Sequence, residues 1–337
     1  MKLRDDVVTL AHGAGGKATR ALVEGLFLEE LRNPVLEPLG DAALVELEGT
    51  RLAFTTDSYV VKPIFFPGGS IGDLAVNGTV NDLAVAGAVP LWLSAGFVIE
   101  EGFPVADLRR VARDMAGAAE AAGVAIATGD TKVVERGNAD GLYVNTTGVG
   151  ALAPGVDVRP DRVQAGDRVL LSGTLGDHGM AVMIARGDLR LEADIESDTA
   201  PVHELAAALL ELGGVRWMRD PTRGGLATAL NELARHAGVA VVLAEDALPV
   251  LPEVAGACEI LGIDPLHVAS EGRLIAVVAA ETAAAALAAL RSRPLGANAA
   301  VIGSIGDDPQ GLVLLDTSLG GRRIVDALVG DPLPRIC

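Results

Sequence analysis

Cysteine and aromatic residues are scarce in this chain of 337 residues, which contains two Cys, six Phe, two Trp and two Tyr. Two cysteines exclude a scaffold of several disulfides and a four-cysteine zinc site, and they indicate a reducing compartment. Basic residues are also few, because 27 Lys and Arg stand against 45 Asp and Glu, for a formal net charge of −18. An acidic surface repels the phosphate backbone, so we do not expect nucleic acid as a partner.

Long hydrophobic runs are absent as well. The longest uncharged stretch, residues 83–99, includes Gly87 and Pro90 and is slightly short for a membrane-spanning helix. The first six residues lack the apolar segment of a secretory signal. Half of the residues are hydrophobic, so a large buried core is possible. We therefore expect a soluble, cytoplasmic protein with no membrane partner.

Short β-rich runs alternate with helical periodicity along the whole chain, which predicts an α/β (α+β) protein with mixed sheets packed against helices. Length and the Pro/Gly-rich stretch after residue 152 predict two domains, residues 1–153 and 154–330, followed by a flexible tail, residues 331–337. Strands are predicted at residues 43–47, 52–55, 91–99, 124–128, 142–149, 168–172, 239–243, 274–278 and 312–315. Helices are predicted at residues 17–31, 71–86, 105–122, 178–185, 202–211, 226–237, 281–290 and 322–329.

Acidic residues stand at strand ends and helix starts in the first half: Asp41, Asp57, Asp82 and Asp130. Carboxylates together with water and substrate phosphates are the usual ligands of Mg²⁺. Each of these aspartates taken singly could equally cap a helix or close a turn. Asp82 is harder to explain in that way, because Asn77, Asn81 and Asp82 form a polar cluster inside an apolar helix and need buried partners.

A glycine-rich segment, residues 12–17, precedes the first predicted helix and includes Gly15, Gly16 and Lys17. Such a loop can present backbone N–H groups and a lysine to phosphate. It is not a P-loop, because Ala11 replaces the first glycine and Ala18 follows the lysine. The alternative is a flexible turn without a ligand.

Two segments of the second half, residues 172–179 and 219–225, lead into helices and could meet phosphate or merely cap those helices. Glu271 precedes a predicted strand and could be a base or a surface charge. Cys258 lies in an apolar helical stretch and is predicted to be a buried structural thiol. Cys337 ends the sequence after a proline-spaced tail, and we predict that its thiol is accessible.

Taken together, these segments resemble the HypE family of nickel–iron hydrogenase maturation factors, within the aminoimidazole ribonucleotide synthetase (PurM-like) superfamily. The resemblance covers nearly the whole chain. The matching segments are the glycine-rich start, residues 55–61, 65–69, 77–88, 128–137, 172–179 and 219–225, and the final Pro334-Arg335-Ile336-Cys337.

The resemblance implies an ATP-dependent carbamoyl dehydratase that acts on its own last residue. In that family the carbamoyltransferase HypF loads a carbamoyl group on the terminal thiol, and ATP then drives dehydration of the S-carboxamide to a thiocyanate. The cyano group passes to iron on the HypC–HypD complex and becomes a cyanide ligand of the hydrogenase. The resemblance also implies a two-domain PurM-like fold and a homodimer in which the N-terminal domains pair into a shared barrel.

Roles for single residues follow from the same resemblance. Cys337 would carry the substrate, and Lys132 and Glu271 would lie beside it and handle its amide protons. The expected metal ligands for Mg²⁺ are Asp41, Asp57, Asp82 and Asp130. The expected ATP-binding residues are Gly15, Gly16, Lys17, Asp57, Asn81, Asp82 and Asp130.

Two other hypotheses remain open on the sequence. A small-molecule kinase or synthetase of the same superfamily would use ATP but would not need the last four residues. A non-catalytic scaffold for metal-centre assembly would bind partners without hydrolysing ATP, and an Asp82→Asn change would not affect it.

Overall fold

The computed structural model describes residues 5–187, 193–328, 333 and 335–337. The elements of the first half are, in chain order, α1 (Lys17–Leu22), a π-helical turn (Val23–Phe27), α2 (Leu28–Leu31), β1 (Ala43–Leu47), β2 (Thr50–Tyr59), β3 (Phe65–Phe66), β4 (Gly69–Ser70), α3 (Ile71–Val85), β5 (Ala88–Glu100), α4 (Val105–Ala121), β6 (Ala125–Val134) and β7 (Leu142–Leu152). All strands and helices predicted in this half are confirmed, and most of the strands extend beyond their predicted ends.

The elements of the second half are β8 (Arg168–Leu171), α5 (Asp177–Arg186), α6 (His203–Leu212), β9 (Val215–Arg219), α7 (Gly225–Ala237), β10 (Ala240–Ala244), α8 (Pro252–Leu261), β11 (Ile275–Val278), α9 (Ala283–Arg291), β12 (Ala300–Gly306), β13 (Val313–Asp316) and β14 (Arg322–Val325). The predicted elements are again found, with one exception. The helix predicted at residues 322–329 is wrong: residues 322–325 form a strand paired antiparallel with β13, and Val329 lies outside the described residues. Thr317 and Gly321 exchange backbone and side-chain hydrogen bonds in a tight turn, and this turn returns the β-branched pair Ile324-Val325 to the sheet.

Two mixed sheets organise the molecule. The first has the strand order β1-β2-β7-β5-β6 and is antiparallel except for the parallel pair β5–β6. The second has the order β14-β13-β10-β12-β8-β11-β9, with β10 and β13 parallel. Mixed sheets packed with helices confirm the predicted fold class.

Helix α3 is almost completely buried and packs in the core beneath the first sheet. Its start is fixed by Ser70, whose hydroxyl accepts a hydrogen bond from the Gly72 N–H, while Asp73 accepts one from the Ser70 N–H. Such a capping box satisfies N–H groups that would otherwise be left without partners in the core. Strong packing and a fixed start therefore hold the polar side chains of α3 at defined positions.

Strand β6 is exposed along nearly its whole length, although it includes Ile126 and Val133. It is one of the two edge strands of the first sheet and lies beside β5. Edge strands that expose apolar side chains are normally covered by another part of the protein or by another chain. None of the helices in the described ranges combines the length and the apolar character needed to cross a bilayer.

Candidate active site

A cavity of about 230 Å³ lies where β2 and α3 of the first half face loops of the second half. Its lining is strongly polar and acidic. The lining residues are Asp41, Thr55, Thr56, Asp57, Ser58, Tyr59, Gly78, Asp82, Arg219, Asp220, Thr222, Arg223, Glu271 and Cys337. Four predicted site residues from the first and second halves therefore meet the last residue of the chain in one place: Asp41, Asp57, Asp82 and Glu271.

Three aspartates converge in this cavity. Carboxylate oxygens of Asp41, Asp82 and Asp220 all lie within 4.8 Å of one another. The Asp82 carboxylate accepts a hydrogen bond of 2.8 Å from the Thr55 hydroxyl, which fixes its orientation. Arg219 is paired with Asp41 (Nε to Oδ1, 3.1 Å) and supplies one positive charge to the group.

Burial and mutual repulsion disturb the titration of these groups. Burial, followed by the charges of Asp57, Asp220 and Asp41, raises the pKa of Asp82 well above its usual range. Burial and Asp41 raise the pKa of Asp220 to about 8. Crowded oxygen ligands whose charges repel one another are the donor set that a hard divalent cation neutralises. Asp41, Asp82 and Asp220 therefore fit a Mg²⁺ ion.

Asp57 and Tyr59 form the wall of the cavity on β2. The Tyr59 hydroxyl donates to Asp57 Oδ2 at 3.2 Å. A Cβ atom at Gly78 would lie 2.2 Å from that hydroxyl, so only glycine allows α3 to approach β2 so closely. Burial raises the pKa of Asp57, whereas the nearby Arg223 lowers it. Asp57 is therefore held beside the three converging aspartates.

Glu271 is 2% exposed and is held by its backbone. Its N–H donates to Asp198 Oδ1 (3.0 Å), and its carbonyl accepts from the Asn81 amide (3.0 Å). Its side-chain Oε1 is buried and has no hydrogen-bond partner among the described residues. Burial, then Asp220 and Asp198, raise the pKa of Glu271 well above its usual range. Once ionised, such a carboxylate is a strong base.

The described residues at the end of the chain lie beside β2, and the flexibility expected for residues 331–337 stays a prediction. The Val60 N–H donates to an α-carboxylate oxygen of Cys337 (3.2 Å), and the Lys62 N–H donates to the Arg335 carbonyl (3.1 Å). Ile336 is 5% exposed, and Cys337 is half-buried and lines the cavity. Asp331, Pro332 and Pro334 of the predicted tail lie outside the described residues.

The two thiols occupy contrasting surroundings. Cys258 is buried in the core on α8, as predicted, and burial followed by Asp264 raises its pKa to about 11. Cys337 lies near Arg223. The pKa of Arg223 is raised, and the largest cause is negative charge at Cys337. Buried apolar surroundings make a thiol inert, whereas a neighbouring cation favours the thiolate. Of the two thiols, Cys337 is the less buried one and the one with a cation nearby.

The glycine-rich segment packs near the tail and does not line the acidic cavity. A Cβ at Gly15 would lie 2.7 Å from the Arg223 carbonyl oxygen, and one at Gly16 would lie 2.3 Å from the Leu328 carbonyl oxygen. The Lys17 ammonium pairs with Asp326 at 2.6 Å. Close packing against Arg223 and Leu328 explains these glycines without a ligand.

Three further predicted residues also lie elsewhere. Asp130 and Lys132 form an exposed ion pair of 2.7 Å on β6, and neither lines the cavity. The Asn81 amide donates to the carbonyls of Ala200 and Glu271, and its oxygen accepts from the Val202 N–H. Asn81 therefore joins α3 to the second half and positions Glu271.

Sequence reasoning missed the contribution of residues 219–223. Asp220 and Arg219 belong to the carboxylate group, and Arg223 lies beside Cys337. Asp220 directly follows β9, a strand that was not predicted. A strand assignment there would have placed Asp220 at a strand end, like Asp130. From the sequence, residues 219–225 are expected only to lead into a helix and to meet phosphate or cap that helix, without a part in the carboxylate group.

Comparison with known proteins agrees with this architecture. Residues 39–152 match the family model for the N-terminal domain of AIR synthase related proteins, and residues 164–315 match the model for the C-terminal domain. The carbamoyl dehydratase HypE of Rhodobacter capsulatus is 57% identical over the full length of both chains. The HypE of Escherichia coli is 47% identical, over 98% of this chain and 99% of that protein.

Solved structures give the same result. A chain from the crystal structure of a HypE–HypF complex superposes with a TM-score of 0.87 at 47% identity, covering 91% of this chain and all of that chain. HypE in complex with ATP superposes with a TM-score of 0.82 at 46% identity, covering 98% of this chain and all of that chain. Family models, full-length identity and fold thus agree, and the chain belongs to the HypE family of carbamoyl dehydratases.

Proposed function

We propose that this protein dehydrates an S-carboxamide on Cys337 to a thiocyanate, with ATP as the co-substrate. The observation that carries the proposal is that Cys337 shares one cavity with the Asp41–Asp82–Asp220 group and with Glu271. A reactive thiol, a cation-binding group and a buried base are the parts that this reaction needs. The proposal is also supported by the relatives named carbamoyl dehydratase and by the relative solved with ATP.

An amide oxygen is a poor leaving group, so the reaction first converts it into a phosphate ester. The carboxamide oxygen attacks the γ-phosphorus of ATP, ADP leaves, and one N–H proton is lost. The second N–H proton then leaves as the C–O bond breaks, phosphate departs and the C≡N bond forms. The net change is loss of one water from the carboxamide and conversion of ATP to ADP and phosphate.

The residues of the cavity divide this work. Glu271 accepts an amide proton through Oε1, the buried oxygen that has no partner among the described residues. Asp41, Asp57, Asp82 and Asp220 would hold Mg²⁺, which neutralises charge on the transferring phosphate when it is bound. Arg223 donates to the Gly13 carbonyl at 3.2 Å and provides positive charge beside Cys337.

Two partners follow from the proposed chemistry. The carbamoyltransferase HypF would supply the carbamoyl group, and the relative solved as a HypE–HypF complex supports this part. The HypC–HypD complex would accept the cyano group on its iron, which later serves nickel–iron hydrogenase. Because the sulfur must meet each of them, Cys337 would leave the cavity for loading and for delivery.

Mass spectrometry of the intact chain tests this function. After loading by HypF, addition of Mg²⁺ and ATP should lower the mass by one water, whereas Cys337→Ala should neither accept carbamoyl nor lose water. Cys258→Ala is the matched control and should behave like the unaltered protein, because that thiol is buried on α8. Dehydration in Cys337→Ala, or ATP turnover of a small molecule that survives deletion of residues 334–337, would contradict the proposal.

We further propose a homodimer formed by the uncovered face of the first sheet. Phe54, Val149 and Trp92 lie side by side on β2, β7 and β5, and Trp92 is 55% exposed. Leu52, Ala151 and Val89 form the next row on the same face. Apolar rows of this kind, continued by the exposed β6, are typical of a surface that another chain covers. In such a dimer, Asp130 and Lys132 of one copy would serve the active site of the other. Asp130 would bind Mg·ATP there, and Lys132 would act on the amide protons.

Sedimentation equilibrium tests the dimer. Trp92→Arg should weaken the dimer about 30-fold or more, because a central interface tryptophan commonly contributes at least 2 kcal/mol. Trp92→Phe is the matched control and should remain dimeric. Since Trp92 points away from the core, neither change should alter the melting temperature of the separated chain. An unaltered protein that stays monomeric at micromolar concentration would exclude this interface.

A further inference from the structure

The imidazole of His178 is completely buried, and both of its nitrogens have a partner. Nε2 lies 2.6 Å from the carbonyl oxygen of Ile336, the residue before Cys337. Nδ1 lies 2.8 Å from the Ser197 hydroxyl oxygen. The edge-on ring of Phe66, 5.5 Å away between centroids, limits rotation of the imidazole. His178 therefore contacts the tail directly from inside the second half of the molecule.

These partners determine the tautomer. A carbonyl oxygen only accepts, so Nε2 carries the proton and donates it to Ile336. Nδ1 then accepts from the Ser197 hydroxyl, and the Ser197 oxygen in turn accepts from the Thr199 N–H at 3.1 Å. Burial lowers the pKa of His178 to about 4, so the ring is neutral near pH 7. Each donor in this series of three hydrogen bonds therefore has an acceptor.

The residue after Ser197 holds Glu271. Asp198 Oδ1 accepts from the Glu271 N–H, and the Asp198 carboxylate also pairs with Arg273 (Oδ2 to Nε, 3.3 Å). A Cβ at Gly272 would lie 1.7 Å from the Asp198 carbonyl oxygen, so the two segments touch without space for a side chain. Two consecutive residues, Ser197 and Asp198, therefore link the tail and the proposed base.

We propose that His178 is a positioning residue: with Ser197 it holds the Ile336 carbonyl so that Cys337 lies in the cavity in register with Glu271. The inference rests on the proposed function for its purpose, since a substrate on the Cys337 sulfur must meet Glu271 at a fixed distance. His178 itself does not line the cavity. It acts on the reaction only through the tail.

Alkylation of the two cysteines by iodoacetamide tests the contact without any catalytic step. In His178→Leu and in Ser197→Ala we expect Cys337 to react about tenfold faster, because a tenfold shift corresponds to about 1.4 kcal/mol, the size of one hydrogen bond. The increase stays moderate because Lys62 and Arg186 still hold the Arg335 carbonyl. His178→Gln retains an N–H donor near the Nε2 position and should restore most of the protection. His236→Leu, an exposed change on α7, is the matched control.

Cys258 reports folding in the same molecules, because it is 1% exposed and reacts only when the core opens. Faster alkylation at Cys337 alone supports the proposal, and unchanged alkylation at Cys337 in both His178→Leu and Ser197→Ala overturns it. Faster alkylation at both thiols in His178→Leu indicates unfolding, and the decision then rests on Ser197→Ala and His178→Gln. In loaded protein, His178→Leu should slow single-turnover dehydration about tenfold without changing the KM for ATP. Failure of dehydration in the unaltered protein would instead refute the proposed function and leave the alkylation result intact.

Discussion

An Asp82→Asn chain is expected to lose more than about a hundredfold in dehydration rate, because even outer-shell partners of metal sites contribute 10- to 100-fold. The same chain should be more stable than the unaltered protein when divalent cations are absent. Asp82 lies among Asp41, Asp57 and Asp220, and their repulsion is part of what raises its pKa. An amide keeps the hydrogen bond from the Thr55 hydroxyl and removes one of the repelling charges. A gain of about 1 kcal/mol is typical when a strained functional group is relieved.

Thermal melts with and without Mg²⁺ measure the expected change in stability. The unaltered protein should gain stability from Mg²⁺ by mass action, whereas Asp82→Asn should gain little. Asp316→Asn is the matched control, because Asp316 lies on β13 in an exposed pair with Arg322. If the Asp82→Asn protein retains both its dehydration rate and its response to Mg²⁺, the assignment of Mg²⁺ to the group that contains Asp82 is wrong.

The second large effect is expected at Glu271. Glu271→Gln should slow dehydration by about a hundredfold to ten-thousandfold, the range for a general base. Glutamine has nearly the same shape, and the contacts with Asp198 and Asn81 are made by the backbone, so the fold should be unaffected. Loading of Cys337 by HypF should proceed normally, and the chain should stop at the carbamoylated mass.

Time courses of intact mass in single-turnover experiments check this result. Glu281→Gln is the control, since Glu281 is exposed on the surface before α9. If Glu271→Gln dehydrates at the normal rate, Lys132 becomes the stronger candidate for the base. Lys132→Met would then be expected to show the loss instead.

Local patterns predicted most of the fold, because helical periodicity and β-rich runs are properties of short segments. The failure at residues 322–329 is instructive, since the choice of a strand there depends on pairing with β13 and not on the segment itself. Short strands such as β9 and β12 likewise owe their conformation to their neighbours in the sheet. Pairing with a distant strand cannot be predicted from the local sequence of the segment.

The structure brings some of the predicted site residues together and places others apart, for related reasons. Asp41, Asp57 and Asp82 could be grouped because they lie close to one strand and one buried helix. Asp220 was missed because its strand was missed, and Asp130 was grouped with the others although β6 lies at the opposite edge of the sheet from β1. The family resemblance implies that Asn81 binds ATP, whereas in the structure its side-chain partners are backbone groups more than a hundred residues away. These side chains from distant segments meet only when the strands of both sheets are paired in their final register.

Beside the ion pair of the Arg335 side chain with Asp140, four hydrogen bonds hold the last three residues by their main-chain oxygens. Val60 and Lys62 donate backbone N–H groups, and Arg186 and His178 donate from side chains. A main-chain oxygen is the same whether, in the proposed reaction, the sulfur of Cys337 carries a proton, a carboxamide or a nitrile. In the proposed reaction these contacts therefore contribute equally to the binding of the unloaded, the carbamoylated and the cyanated tail, and uniform binding of this kind neither favours the forward step nor traps its product. Discrimination among the three states is left to the few groups that face the sulfur.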